Sequence, residues 1–175
     1  MVGPIALLSA VLSLLPPPAP SAGAPRGALP WVSATMLAAR LRAERGLAAE
    51  AVLGAQNGRR VALAVVPLDP TGRVRAEVRT ALAFLEMADA ARKAGLELQV
   101  SSGFRTHDEQ VELFRLYRLG MGPLASRPGT SNHQSGHALD IETHSLPVRL
   151  WLRRNARRFG FLRTVPSERW HWEHW

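Results

Sequence analysis

The chain has 175 residues, enough for one domain with a real core plus appendages, and 46% of them are hydrophobic, which excludes a disordered chain. It has no cysteine, so disulfides and thiolate metal sites are excluded and any metal must be held by His, Asp or Glu. The formal charge is +8, and Lys93 is the only lysine; the arginines form no single block and no nucleic-acid motif appears, so no nucleic-acid partner is expected and the charge reads as a solvated, wall-attracted surface.

The N-terminus carries an apolar run from Ile5 to Leu15, too short to span a bilayer, and then small residues around Ala22-Gly23-Ala24. This pattern predicts a secretory signal over residues 1–24 and hence export to the periplasm or the extracellular space, with no transmembrane anchor. Residues 25–59 read as a Pro/Ala/Gly-rich linker and a short helical segment, with the main domain over residues 60–175. In that segment Leu37, Ala38 and Leu41 recur at helical spacing from Ser33 to Arg45, and Gly46 ends the helix.

"VALAVV", from Val61 to Val66, is a strand closed by "PLDPTG". A helix carrying Val78, Leu82, Leu85 and Ala88 on one face follows, capped near Gly95. "LELQV" alternates from Leu96 to Val100 as a half-buried strand does. Thr106 and Glu109 have the spacing of a capping box, which starts a helix running to about Leu119. A long loop leads to the strand "HALDIE". Val148, Trp151, Leu152, Ala156 and Phe159 then share a helical face that ends at Gly160. "SERWHWEHW" closes the chain as a turn and a strand. Interleaved helices and short strands without a Gly-rich phosphate loop predict an α+β fold, with a small, largely antiparallel sheet and packed helices.

"SNHQSGHALDIE", Ser131 to Glu142, concentrates candidate metal donors. Catalytic zinc takes three protein ligands and leaves one position for water. His133 and His137 are four apart, but an H-E-x-x-H helix needs a glutamate where Gln134 stands, and Gly136 interrupts. The other pairing is His133 on the loop with Asp140 on the strand. A third ligand must come from a distant segment. In "RWHWE", His171 and Glu173 point one way and Trp170 and Trp172 the other, so His171 is a plausible ligand. Glu173 shares that face, and Glu168 reaches the site only if Pro166 and Ser167 bend the chain. Spacing leaves both glutamates open as the general base. His107, His144 and His174 read as solvent-facing, with support of a neighbour of the metal as the alternative for His174. The two tryptophans read as core.

"SNHQSGHALD" resembles S-x-H-x-x-G-x-A-x-D, and "ERWH" resembles E-x-x-H; with "SGFRT" followed by Gln110, and "WLRRNARRFGF", the chain is similar to the VanY/VanX-type zinc D-alanyl-D-alanine peptidases from about Val61 to Glu173. His137 departs from the commonest pattern. The resemblance implies the small α+β fold shared with the hedgehog signalling domain. It implies zinc held by His133, Asp140 and His171, Glu168 as general base, and Arg105 beside the scissile carbonyl. Ser131 and Gln110 are implied substrate contacts, and Ser101, Ser102 and Arg127 are further candidates for a terminal carboxylate. The implied activity is zinc-dependent removal of the terminal D-alanine from the D-Ala-D-Ala end of peptidoglycan stem peptides. An L,D-carboxypeptidase or wall endopeptidase of the same fold is an alternative, as is a zinc-stabilised wall-binding or signalling module, because fold alone does not give chemistry.

Overall fold

The computed structural model describes residues 33–175; the expected signal segment and the first residues of the linker lie outside them. Helix α1, Ala34–Arg45, begins where the Ser33 hydroxyl accepts from the Met36 N–H at 3.2 Å and stops at Gly46, whose φ of 69° no side chain opposes. It buries Leu37 and Leu41 in the common core. Strands β1, Glu50–Gln56, and β2, Arg59–Pro67, form an antiparallel hairpin with Gln56 opposite Arg59. Its two-residue turn is Asn57-Gly58, both at positive φ, as the favoured hairpin turn requires. The short strand β3, Arg75–Glu77, pairs with β2 and completes a three-stranded sheet.

Helix α2, Val78–Lys93, starts with an acidic cap: the Glu77 carboxylate accepts from the Arg79 and Thr80 N–H groups. A carboxylate there also complements the partial positive charge of the helix N-terminus. Strand β4, Val100–Ser102, leads into helix α3, His107–Arg118, which begins with the expected Thr106/Glu109 capping box. Strand β5 is Ala138–Ile141, and helix α4, Leu146–Asn155, continues as a 3-10 turn over Ala156–Phe159 to Gly160. Strands β6, Phe161–Leu162, and β7, His171–His174, finish a second antiparallel sheet in the order β4-β5-β7-β6.

One core joins these layers. Val78, Ala81, Phe84 and Met87 of α2 pack in the same cluster as Leu139 and Ile141 of β5, Leu152 of α4, Phe161 and Trp172. Fully burying one Leu, Ile or Phe contributes about 1.5–3 kcal/mol, so this cluster is what holds the two sheets together. Among the described residues no helix is long and apolar enough to cross a membrane.

The α+β fold with small antiparallel strand pairing is as expected, with the pairing divided between two sheets. Finer expectations are corrected. The boundary at residues 59/60 falls inside the β1–β2 hairpin, whose seven residue pairs tie residues 50–56 to the rest of the chain. Strand β1 was missed because its residues do not alternate, although the Asn57-Gly58 turn signals a hairpin. The strand expected from Leu96 pairs only from Val100 onward, because its partner β5 ends at Ile141.

Candidate metal centre

Strands β5 and β7 pair so that Asp140 faces His171 and Leu139 faces Trp172. Side chains of paired residues lie on the same face of a sheet, and successive residues alternate. Leu139 and Trp172 therefore enter the core, while Asp140 and His171 share the opposite face. His171 Nδ1 lies 3.1 Å from Asp140 Oδ1.

His133 reaches the same point from the long loop, with its Nε2 3.4 Å from Asp140 Oδ1. That loop is clamped from several sides. The Ala55 N–H donates to the Gln134 carbonyl at 2.9 Å, the Glu77 N–H to the Gly136 carbonyl at 3.2 Å, and the Arg105 N–H to the His133 carbonyl at 3.0 Å. Gly136 is needed twice over: its φ is 71°, and a Cβ there would sit 2.8 Å from the Glu77 nitrogen. At Gly103 a Cβ would collide with the Arg75 carbonyl oxygen at 2.2 Å.

The ring nitrogens are oriented by their outer partners. His133 Nδ1 lies 2.7 Å from the Gly103 carbonyl, which can only accept, so Nδ1 carries the proton and Nε2 faces Asp140 with a lone pair. On the other imidazole, His171 Nε2 lies 3.0 Å from Glu173 Oε1, which leaves Nδ1 free on the inner side. Burial would raise the Glu173 pKa, but hydrogen bonds involving Asn132, His171 and Thr164 hold it below the usual value. Burial likewise opposes ionisation of Asp140, yet His133 and His171, whenever an imidazole N–H is turned toward it, hold its pKa far below the usual carboxylate range; a bound cation would take the place of those protons. Both acids are therefore charged at neutral pH.

One donor atom each from His133, Asp140 and His171 lie within 4.8 Å of one another. Ligands bound at about 2.0–2.1 Å in a tetrahedral zinc site stand about 3.3 Å apart. The 3.4 and 3.1 Å separations from Asp140 fit that spacing. Two imidazoles and one carboxylate match the ligand count of catalytic zinc with an open fourth position.

Glu168 approaches from the inner side, its Oε2 4.0 Å from His171 Nδ1. The bend that it needs is present, since the Glu168 N–H closes a turn on the Val165 carbonyl at 3.1 Å, around Pro166 and Ser167. Arg105 is half-buried and donates to Gln110 Oε1 at 2.9 Å and to Ser102 Oγ at 3.3 Å. Burial lowers its pKa, while the charges of Asp140, Glu109 and Glu168 oppose that shift. Gln110 is fully buried, and its amide also donates to the Ser126 carbonyl at 2.7 Å, so both ends are engaged within the chain. Ser131 is buried on the same loop as His133, and Ser101 Oγ donates to the Asp140 carbonyl.

Other candidates lie elsewhere. His137 is not on a helix with His133: its N–H closes a turn on the Asn132 carbonyl, and Gly136 before it is left-handed. His174, expected at the surface, is 8% exposed and packs on Phe161 with ring centroids 5.2 Å apart. Trp170, expected in the core, is 47% exposed, although its carbonyl accepts from the Ile141 N–H at 2.8 Å. The support from Glu173 and from the Gly103 carbonyl was missed in the sequence. The i,i+2 spacing of His171 and Glu173 on one strand was the available signal for the first; nothing local signals the second.

The family model for VanY, D-alanyl-D-alanine carboxypeptidase, matches residues 73–175, well over half of the chain. The chain belongs to the VanY family. A D-alanyl-D-alanine carboxypeptidase of Enterococcus faecalis is 31% identical over 114 residues, 54% of this chain and 42% of that protein. The match thus spans less than half the length of this curated relative. Among solved structures, the vancomycin-resistance D,D-pentapeptidase VanY, as a mutant in complex with Zn(II), is 28% identical with a TM-score of 0.52. That match covers 63% of this chain and 77% of the other. VanYB in complex with D-alanine-D-alanine is 29% identical with a TM-score of 0.52, over 63% of this chain and 76% of the other.

Proposed function

We propose that the chain is an exported zinc carboxypeptidase that removes D-alanine from the D-Ala-D-Ala end of peptidoglycan stem peptides. The observation that carries this reading is the convergence of His133, Asp140 and His171, with Glu168 on the inner side of His171. Similarity to a VanY structure with Zn(II), and to one with D-alanine-D-alanine, supports the metal and the substrate class.

In this reading His133, Asp140 and His171 hold zinc. Bound zinc supplies Lewis acidity, lowering the pKa of a water and polarising a carbonyl. Glu168 takes the proton from the attacking water as its oxygen bonds to the scissile carbonyl carbon. As the C–N bond breaks, the same carboxylic acid returns the proton to the leaving amine of D-alanine. Arg105 aims its guanidinium at the oxygen that gains negative charge, held in direction by Gln110 and Ser102. Ser131 serves as a substrate contact. Gln110 acts through Arg105 and not on the substrate, because its amide is already engaged. Residues 33–59 fold with the catalytic unit. The signal over residues 1–24 directs export.

The test is mass spectrometry of a pentapeptide stem incubated with the zinc-loaded protein. Loss of one D-alanine is expected. Release of the whole dipeptide, cleavage of a tetrapeptide, or cleavage of a cross-link would reassign the bond. The variant Glu168→Ala should retain zinc and lose about 10²–10⁴-fold in turnover. Unchanged peptides with fully metallated protein would overturn the enzymatic reading in favour of a binding module.

A further inference from the structure

The opposite face of the β5–β7 sheet carries a second feature with no part in the chemistry above. A cavity of about 230 Å³ lies between this sheet, helix α4 and the segment before β7. Four arginines line it: Arg149, Arg153, Arg163 and Arg169. The cavity is separate from the metal centre because Trp172, which forms part of its wall, projects on the face opposite to His171.

Two observations point to a ligand. First, the charge is not compensated. None of these four arginines forms an ion pair among the described residues, so the cavity gathers four guanidinium groups with no carboxylate among its lining residues. Arg149 is instead oriented by the backbone, its Nη1 donating to the Thr143 and His144 carbonyls at 3.0 and 3.2 Å. Second, the indole N–H of Trp172 has no acceptor, although Trp172 is only 6% exposed. An unmet buried donor typically costs about 1–3 kcal/mol, and this one belongs to a residue that lines the cavity together with four guanidinium groups.

We infer that this cavity is an oxyanion site whose ligand is a phosphate group, either free or as part of a lipid headgroup. A phosphate matches the site better than a lone carboxylate. It offers more acceptor oxygens for forked guanidinium donors and, as a monoester or inorganic ion, close to two negative charges. The site would hold the enzyme near phosphate-bearing material at the cell surface without contact with the reacting peptide.

The readout is the Trp172 indole N–H resonance of the ¹⁵N-labelled, zinc-loaded protein, assigned with Trp172→Phe. Titration with inorganic phosphate should shift it saturably. Because Trp172 adjoins His171, the same titration of the Arg153→Ala/Arg163→Ala variant separates binding in the cavity from phosphate at the metal. The variant Arg153→Ala/Arg163→Ala, which changes two exposed side chains, should weaken that binding by at least about tenfold while leaving peptide hydrolysis intact. Co-sedimentation with phosphatidylcholine vesicles, with and without phosphatidylglycerol, distinguishes the sources. Arginine-dependent pelleting only with phosphatidylglycerol assigns a lipid headgroup; a shift with phosphate but no pelleting assigns free phosphate. No shift up to about 10 mM phosphate together with no pelleting overturns the inference, as does binding that the double variant leaves unchanged.

Discussion

Glu173 Oε1 lies 3.0 Å from His171 Nε2, on the side of the imidazole away from Asp140. Both residues belong to β7 and share one face of it, so the strand itself sets the distance. The contact fixes the tautomer of His171 and makes its inner nitrogen a better donor. Glu168 meets the same imidazole on the other side, 4.0 Å from Nδ1. The two glutamates that the sequence leaves as rivals therefore have different tasks. Replacing Glu173 by Ala should weaken zinc binding about 10- to 100-fold, measured by competition with a chelator, whereas Glu168→Ala should leave it nearly unchanged. Equal zinc affinities in the two variants would remove the distinction.

Gln110 joins Arg105 to the carbonyl of Ser126. The variant Gln110→Leu keeps the volume but frees the guanidinium and strands that carbonyl. Stability should fall by about 1–3 kcal/mol, read in denaturant melts. Turnover should fall by about 10- to 100-fold through loss of alignment, with zinc affinity unaffected. If KM alone rises, Gln110 contacts substrate directly, as its sequence motif implied.

Gly136 brings the His133 loop against the N-terminus of α2. Alanine there must hold a left-handed backbone and push the Glu77 amide away. The expected cost is about 1–3 kcal/mol from strain, plus a loss of zinc affinity as His133 shifts. A variant as stable and as well metallated as the parent would show that the loop closes by another route.

His174 carries a pH dependence. Burial, with the charges of His137 and Arg79 adding to it, pushes its pKa down to about 4 from the usual 6.5. The unfolded chain therefore binds a proton at a higher pH than the folded one. Stability from a neutral His174 is complete above about pH 6.5, declines as the pH falls toward 4, and changes no further below that. The span corresponds to a contribution on the order of 3 kcal/mol. His174→Leu also removes a buried ring nitrogen that has no partner. Denaturant midpoints measured between pH 4 and 7 should slope less for this variant than for the parent; parallel curves would sink the assignment.

Local order was written plainly in the sequence. The Thr106/Glu109 capping box, the glycines after α1 and the 3-10 turn, and the apolar faces of α1, α2 and α4 all lie where spacing puts them, because each depends on residues within one or two turns of the chain. The absence of cysteine and the alternation in "RWHWE" also determined which donors were possible and that His171 and Glu173 share a face. What spacing could not supply was the partner of each strand. The choice of Asp140 over His137, and of Glu168 for the inner side of His171, follows from the β5–β7 register and the Val165–Glu168 turn. Those features bring together side chains about thirty residues apart. Such contacts are selected by burial of Leu139 and Trp172 in a core assembled from the whole domain, and no local pattern encodes that choice.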